Sequence, residues 1–254
     1  YKEDISKKAI FLLLLFPTSF YLVSYYTESI FLALVIWSFY FARRGNFLLA
    51  GALGGISTAT RIVGLALIPA LALEAWRGGK KDIFQKTVGI LLVPVGLFIY
   101  MYFLKIKTGD PFEFLNTISI FGEQRSSELI LLPQVFYRYL FKILPSINPS
   151  YFPGTFATLL EFGAGILFLI LTIYAFFKVR LSYAVYMAIA YLMPTLSGSF
   201  SSMARYVLIL FPGFIVLSLW LEKLSPKTRK LFTFVMLFLL SISLAMFVRG
   251  YWIA

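Results

Sequence analysis

Apolar runs of 12 to 30 residues fill most of the chain, and short polar or basic stretches punctuate them. The first run, from Ala9 to Tyr25, stops being purely apolar at Phe16-Pro17-Thr18-Ser19, becomes rich in hydroxyls and tyrosines, and ends at Glu28. A second run from Ser29 to Phe41 follows with no room for a soluble loop, and Arg43-Arg44-Gly45-Asn46 closes it as a tight basic turn. The next apolar stretch, Phe47 to Trp76, is too long for one straight crossing at about 1.5 Å per residue. It is interrupted at Thr58-Ala59-Thr60-Arg61, so the pattern predicts two short helices breaking at Arg61, with Gly51, Gly54 and Gly55 permitting close packing. Further runs cover Lys86 to Leu104 with a kink expected at Pro94, Phe156 to Phe177, Ser182 to Leu196, Tyr206 to Leu221 and Leu231 to Val248. The sum is an all-α, polytopic transmembrane helical bundle of about nine spans in one domain.

The stretch from Lys105 to Phe152 departs from this rhythm. It carries charges of both signs and several prolines, and its apolar segments are too short to span, so interfacial helices are expected in one long outer loop. Composition agrees with a membrane setting: 60% of residues are hydrophobic and 13% charged, and mean hydropathy is +0.87. The net charge of +12 does not point to nucleic acid, because the basic residues fall in short clusters between apolar runs. With the N-terminal end placed inside, 15 of the 23 Lys and Arg fall in inner segments, which the positive-inside rule favours. Glu28, Arg61, the long loop and the Ser199–Arg205 stretch then share the outer face.

The chemistry available is narrow. There is no Cys and no His, which removes disulfides, thiol nucleophiles and the commonest general base. Glu28 is the sole acid between Asp4 and Glu74. It suits a general base, a ligand to a divalent cation or a partner for a cation, and equally an acid capping the second helix. Arg61 suits a phosphate or an ion pair with Glu28. Arg205-Tyr206 follows a serine-rich turn and reads as an anion site or an interfacial anchor. Thr108-Gly109-Asp110-Pro111 reads as a turn opening a helix, with Asp110 as its cap. Glu123, Arg125, Glu128, Arg138 and Lys142 read as solvated or headgroup-level charges, and Tyr21, Tyr25, Tyr26, Tyr137, Tyr139 and Tyr151 as an aromatic belt able to stack on a sugar.

Four stretches in order resemble the GPI mannosyltransferase II (PIG-V) family and its prokaryotic relatives. They are Phe16-Pro17-Thr18-Ser19 through Tyr25-Tyr26-Thr27-Glu28-Ser29-Ile30-Phe31, Gly51 through Thr60-Arg61-Ile62-Val63-Gly64-Leu65, Thr108-Gly109-Asp110-Pro111-Phe112-Glu113-Phe114, and Ser202-Met203-Ala204-Arg205-Tyr206 with Phe211-Pro212. The resemblance implies a GT-C glycosyltransferase that moves a sugar, in this family mannose, from a polyprenyl- or dolichyl-phosphate donor to a lipid or glycan acceptor at the outer or lumenal face. It implies a multi-pass protein of the plasma membrane in a prokaryote or the endoplasmic reticulum in a eukaryote. Arg61 and Arg205 are then the candidates for the donor phosphate and Glu28 for the catalytic or supporting acid. Tyr25, Tyr206 and Asp110 complete the substrate-binding set. Metal dependence stays open between no cofactor and a divalent cation. The family's acidic first outer loop has no counterpart, so the chain is expected to begin internally, with spans upstream of Tyr1. A transporter or lipid-linked-sugar flippase, and a non-catalytic assembly subunit, are the competing readings.

Overall fold

The computed structural model describes residues 3–79, 81–117, 120, 125–126 and 128–254; Tyr1 and Glu123 from the readings above lie outside them. The regular structure of the described residues is helical, with one isolated bridge between Ile130 and Ser197 and no strand. In chain order the helices are α1 (Glu3–Leu15), α2 (Glu28–Arg43), α3 (Phe47–Thr60), α4 (Leu67–Arg77), α5 (Ile83–Leu92) and α6 (Val95–Thr108). The long loop holds α7 (Glu113–Asn116) and α8 (Leu132–Arg138), and the C-terminal half holds α9 (Phe152–Lys178), α10 (Leu181–Thr195), α11 (Met203–Tyr206), α12 (Phe211–Leu221) and α13 (Pro226–Val248).

The nine-span reading does not hold. Among the described residues three helical segments are long and apolar enough to cross a membrane: Ile83–Thr108, Phe152–Lys178 and Pro226–Val248. The bent pair Met203–Ile209 and Phe211–Leu221 makes up to four, and it turns through 88°. The reason is helix length. α1, α2, α3 and α10 hold 13, 16, 14 and 15 residues, so each reaches only about 20–24 Å, short of an apolar layer about 30 Å thick. Hydropathy alone joined residues that the backbone separates. Pro17 stops α1, and the predicted span to Tyr25 is completed by a 3₁₀ turn over Ser19–Leu22. The predicted span from Tyr206 is broken at Leu210, where Tyr186 Oη donates to the Ile209 carbonyl at 3.1 Å.

The break at Arg61 is present as predicted. Ser57, Thr58 and Thr60 each donate a hydroxyl hydrogen bond to the carbonyl three residues earlier, which competes with continued helix. Arg61 is extended at φ −153° and ψ 132°, and a 3₁₀ turn over Ile62–Ala66 leads into α4.

α2 and α3 form an antiparallel hairpin through Gly45, which sits at φ +84°. α3 also lies directly on α5 and α6. A Cβ at Gly51 would collide with the Gly89 carbonyl, and one at Gly96 with the Gly55 carbonyl, so the backbones touch without side chains between them. α10 bridges α4, α9 and α12, and buries Tyr186, Met187 and Tyr191 with Phe39, Phe168 and Phe214 in one core.

Candidate functional site

The hairpin of α2 and α3 creates the site. Its arms are nearly equal in length, so Glu28 at the start of α2 meets Arg61 at the end of α3. Arg61 Nη1 donates to Glu28 Oε1 at 2.5 Å. Arg205 Nε, carried by α11, lies 3.2 Å from the same oxygen, close enough for an ion pair but without hydrogen-bond alignment. The Glu28 side chain is 1% exposed and those of Arg61 and Arg205 are 12% and 13% exposed. One carboxylate oxygen thus holds two guanidiniums out of water. Such an arrangement is strongly destabilised when one partner is lost, because an uncompensated buried charge is left behind.

α11 reaches this position through two ties. Thr18 Oγ1 donates to the Ala204 carbonyl at 2.6 Å, pinning the turn after α1 to α11. Ser202, in the left-handed region at φ +61°, aims its backbone N–H at Glu161 Oε1, 2.6 Å away in α9. Arg205 is then enclosed by the rings of Tyr21, Tyr26, Tyr206 and Trp252, each 5.3–5.5 Å from its guanidinium carbon. Such contacts partly replace the solvation a cation loses on burial. Three buried polar atoms at this spot make no hydrogen bond: Tyr21 Oη, Glu28 Oε2 and Arg205 Nε.

Next to the ion pair lies a cavity of about 500 Å³. Its walls include Ile62, Val63, Leu115, Leu129, Met193 and Leu196, and its polar end presents Arg61, Arg125 and Tyr206. Arg125 Nη2 donates to the Ser201 carbonyl at 2.9 Å and to Tyr206 Oη at 3.2 Å. The guanidinium carbons of Arg61, Arg125 and Arg205 all lie 5.1–5.6 Å from the Tyr206 ring. Among the described lining residues the one carboxylate is the exposed Glu128.

The long loop forms one wall of this cavity and docks onto the turn after α10. Ser126 N and Ile130 N donate to the carbonyls of Ser197 and Leu196 at 2.8 and 2.9 Å. Arg138 Nη1 donates to the Gly198 carbonyl at 3.2 Å. Tyr139 Oη accepts from Phe200 N at 3.1 Å, and its ring stacks on Phe162. Burial pushes the Tyr139 phenol up to about 12, so it is protonated across the physiological range.

Of the predicted site residues, Glu28, Arg61, Arg205 and Tyr206 converge. Tyr25 does not join them; its side chain is fully exposed. Asp110 does not join them either. Its carboxylate accepts from Phe112 N at 2.8 Å and Asn116 Nδ2 at 2.6 Å, an Asx turn before α7. Phe112, rather than Asp110, holds the cap position of α7. Arg125, Tyr21, Tyr26 and Trp252 join the site without having been picked out for it. Arg125 carried no signal because its partners are one backbone carbonyl and a tyrosine, both remote in sequence. Glu161 did carry one, as a lone acid inside a long apolar run.

The donor set at Glu28 does not suit a divalent cation, since two guanidiniums already occupy its neighbourhood. Among the described residues no three acidic groups gather as metal ligands. No family model, curated protein or solved structure matches this chain.

Proposed function

We propose that the chain is a membrane glycosyltransferase, or the part of one, that binds a polyprenyl-phosphate sugar donor and passes its sugar, with mannose the first candidate, to an acceptor hydroxyl. The observation that carries this reading is the cavity of about 500 Å³, apolar along its walls and cationic at one end through Arg61 and Arg125. A lipid phosphate needs both features at once: carbon-lined space for isoprene units and a guanidinium fork for the phosphate oxygens.

The chemistry follows from the charge changes. The bond between the sugar anomeric carbon and the donor phosphate oxygen breaks, and the electron pair leaves with the phosphate. Arg61 and Arg125 stabilise that developing charge. The acceptor oxygen forms the new bond to the anomeric carbon, and its proton passes to a carboxylate. Glu128 is assigned this role because it lines the cavity. Glu28 is assigned to positioning: it lies behind Arg61 and fixes both Arg61 and Arg205 through one oxygen.

The test combines binding and turnover with the full chain in detergent. Polyprenyl phosphate is titrated first, and transfer is then followed from a radiolabelled polyprenyl-phosphate sugar. Arg125→Ala is expected to weaken polyprenyl-phosphate binding at least tenfold. Glu128→Gln is expected to leave binding intact and to lower transfer about 10²-fold or more. Unchanged values in both variants overturn the reading. Binding of polyprenyl phosphate with no transfer overturns the transferase and leaves a carrier of lipid-linked sugars.

A further inference from the structure

A second cavity of about 500 Å³ opens at the other end of α2. Glu28 begins that helix and Arg43 ends it, which separates the two sites by about 22 Å. Arg43, Arg44, Arg77, Lys81, Lys86 and Arg180 line it, against two carboxylates, Glu74 and Asp82. Glu74 is already engaged, with Oε1 accepting from Arg180 Nε at 2.7 Å and from the Ser182 hydroxyl. Among the described residues neither Arg77 nor Lys81 pairs with a carboxylate.

Lys86 shows that this basin is built rather than a chance gathering of surface charge. The residue is 8% exposed. Its ammonium donates to the Gly78 and Gly79 carbonyls at 3.1 and 2.8 Å, over the Phe47 ring. Lys86 also lines an adjoining apolar groove of about 370 Å³ between α4 and α5, with Ala75, Trp76, Ile83, Thr87 and Ile90. A cationic basin and an apolar groove therefore meet at one buried lysine. Both lie where two of the membrane-length helices end, at Ile83 and Lys178, the depth at which lipid headgroups sit.

We infer that this is a binding site for an anionic phospholipid, with the phosphate in the basin and an acyl chain along the groove. Phosphate is the ligand chemistry, because clustered Arg and Lys beside membrane helices neutralise it well. The groove selects a lipid over a free anion. The inference stands apart from the transferase reading, since it uses none of the same residues.

The test measures retention of phosphatidylglycerol, phosphatidylcholine and inorganic phosphate by the full chain in non-ionic detergent, using native mass spectrometry for the lipids and equilibrium dialysis for phosphate. Phosphatidylglycerol is expected to bind at least tenfold more tightly than phosphatidylcholine. Arg77→Ala with Lys81→Ala is expected to weaken it about 30-fold, as for two cations near a headgroup. Lys227→Ala with Arg229→Ala removes the same charge from the exposed start of α13 and is expected to change binding less than threefold. Thr87→Trp, at an exposed groove position, is expected to weaken the lipid without affecting inorganic phosphate. Equal retention of both lipids, or equal loss in the two double variants, overturns the site. Inorganic phosphate binding as tightly as phosphatidylglycerol, with Thr87→Trp silent, overturns the lipid and leaves a free anion as the ligand.

Discussion

Two guanidiniums on one oxygen make Glu28 a costly side chain to neutralise. Glu28→Gln keeps the shape but leaves Arg61 and Arg205 buried without a counter-charge. The expected loss is about 3 kcal/mol in unfolding free energy, measured in mixed micelles. Combining it with Arg61→Gln is expected to cost clearly less than the two single losses added together, the signature of a shared pair. The tyrosines divide in the same way. Tyr21 is fully buried and Tyr25 fully exposed, although they stand four residues apart in one hydroxyl-rich stretch. Tyr21→Ala is expected to destabilise by about 3 kcal/mol or more, and Tyr25→Ala to stay within about 0.5 kcal/mol. The same thermal melts check both. Their difference arises from the 3₁₀ turn over Ser19–Leu22, which faces Tyr21 inward and which hydropathy does not reveal.

Among elements, α3 is the one on which the rest depend. It contacts α2, α5 and α6 at once, and two of those contacts are backbone on backbone. Gly96→Ala puts a methyl group into the Gly55 carbonyl, so α3 and α6 must separate. The expected cost is about 2 kcal/mol, within the range seen for overpacked interiors. Gly163→Ala in α9 is the matched control, because nothing lies within 4 Å of the added carbon. It is expected to be neutral or to stabilise by about 0.5–1 kcal/mol, since a mid-helix glycine gives way to a better helix former. Chemical denaturation of the two variants side by side checks the contrast. The glycine spacing in α3 was legible as a packing signal. That the partners are Gly89 and Gly96, across the Pro94 seam, was not, because nothing local links these segments.

At the scale of the molecule, three helical segments among the described residues have the length and apolarity to cross a bilayer. Lys81 precedes the Ile83–Thr108 segment, Lys107 stands in its last turn, and both are exposed. The chain contains no cysteine, so Lys81→Cys and Lys107→Cys each introduce a single thiol without background. A membrane-impermeant maleimide added to sealed vesicles is expected to label one of them from one side only and the other after the membrane is opened. Labelling of both from the same side would remove this segment as a crossing. The short helices α1, α2, α3 and α10 reach less than a full apolar layer, and they bury Phe31, Val35, Phe39 and Tyr186 against one another in the core. A hydropathy plot treats such helices like the long ones, because residues buried in protein and residues facing lipid are equally apolar.

The sequence by itself determined that the chain is helical and apolar, that α3 ends at Arg61, that Pro17 interrupts the first run, and that Glu28 and Arg61 come to the same face, with their ion pair one of two readings of Arg61. Each of these follows from local rules: periodicity, proline and glycine chemistry, hydroxyl competition at a helix end, and two hairpin arms of similar length. Tertiary structure alone decided that Arg205 shares the Glu28 oxygen, that Arg125 reaches the cavity, and that Tyr25 and Asp110 stay outside it. Those placements depend on contacts spanning many tens of residues, such as Thr18 to Ala204 and Ser126 to Ser197. The number of membrane-length helices was also a tertiary matter. Whether an apolar helix meets lipid or another helix depends on its length and its neighbours, and composition records neither.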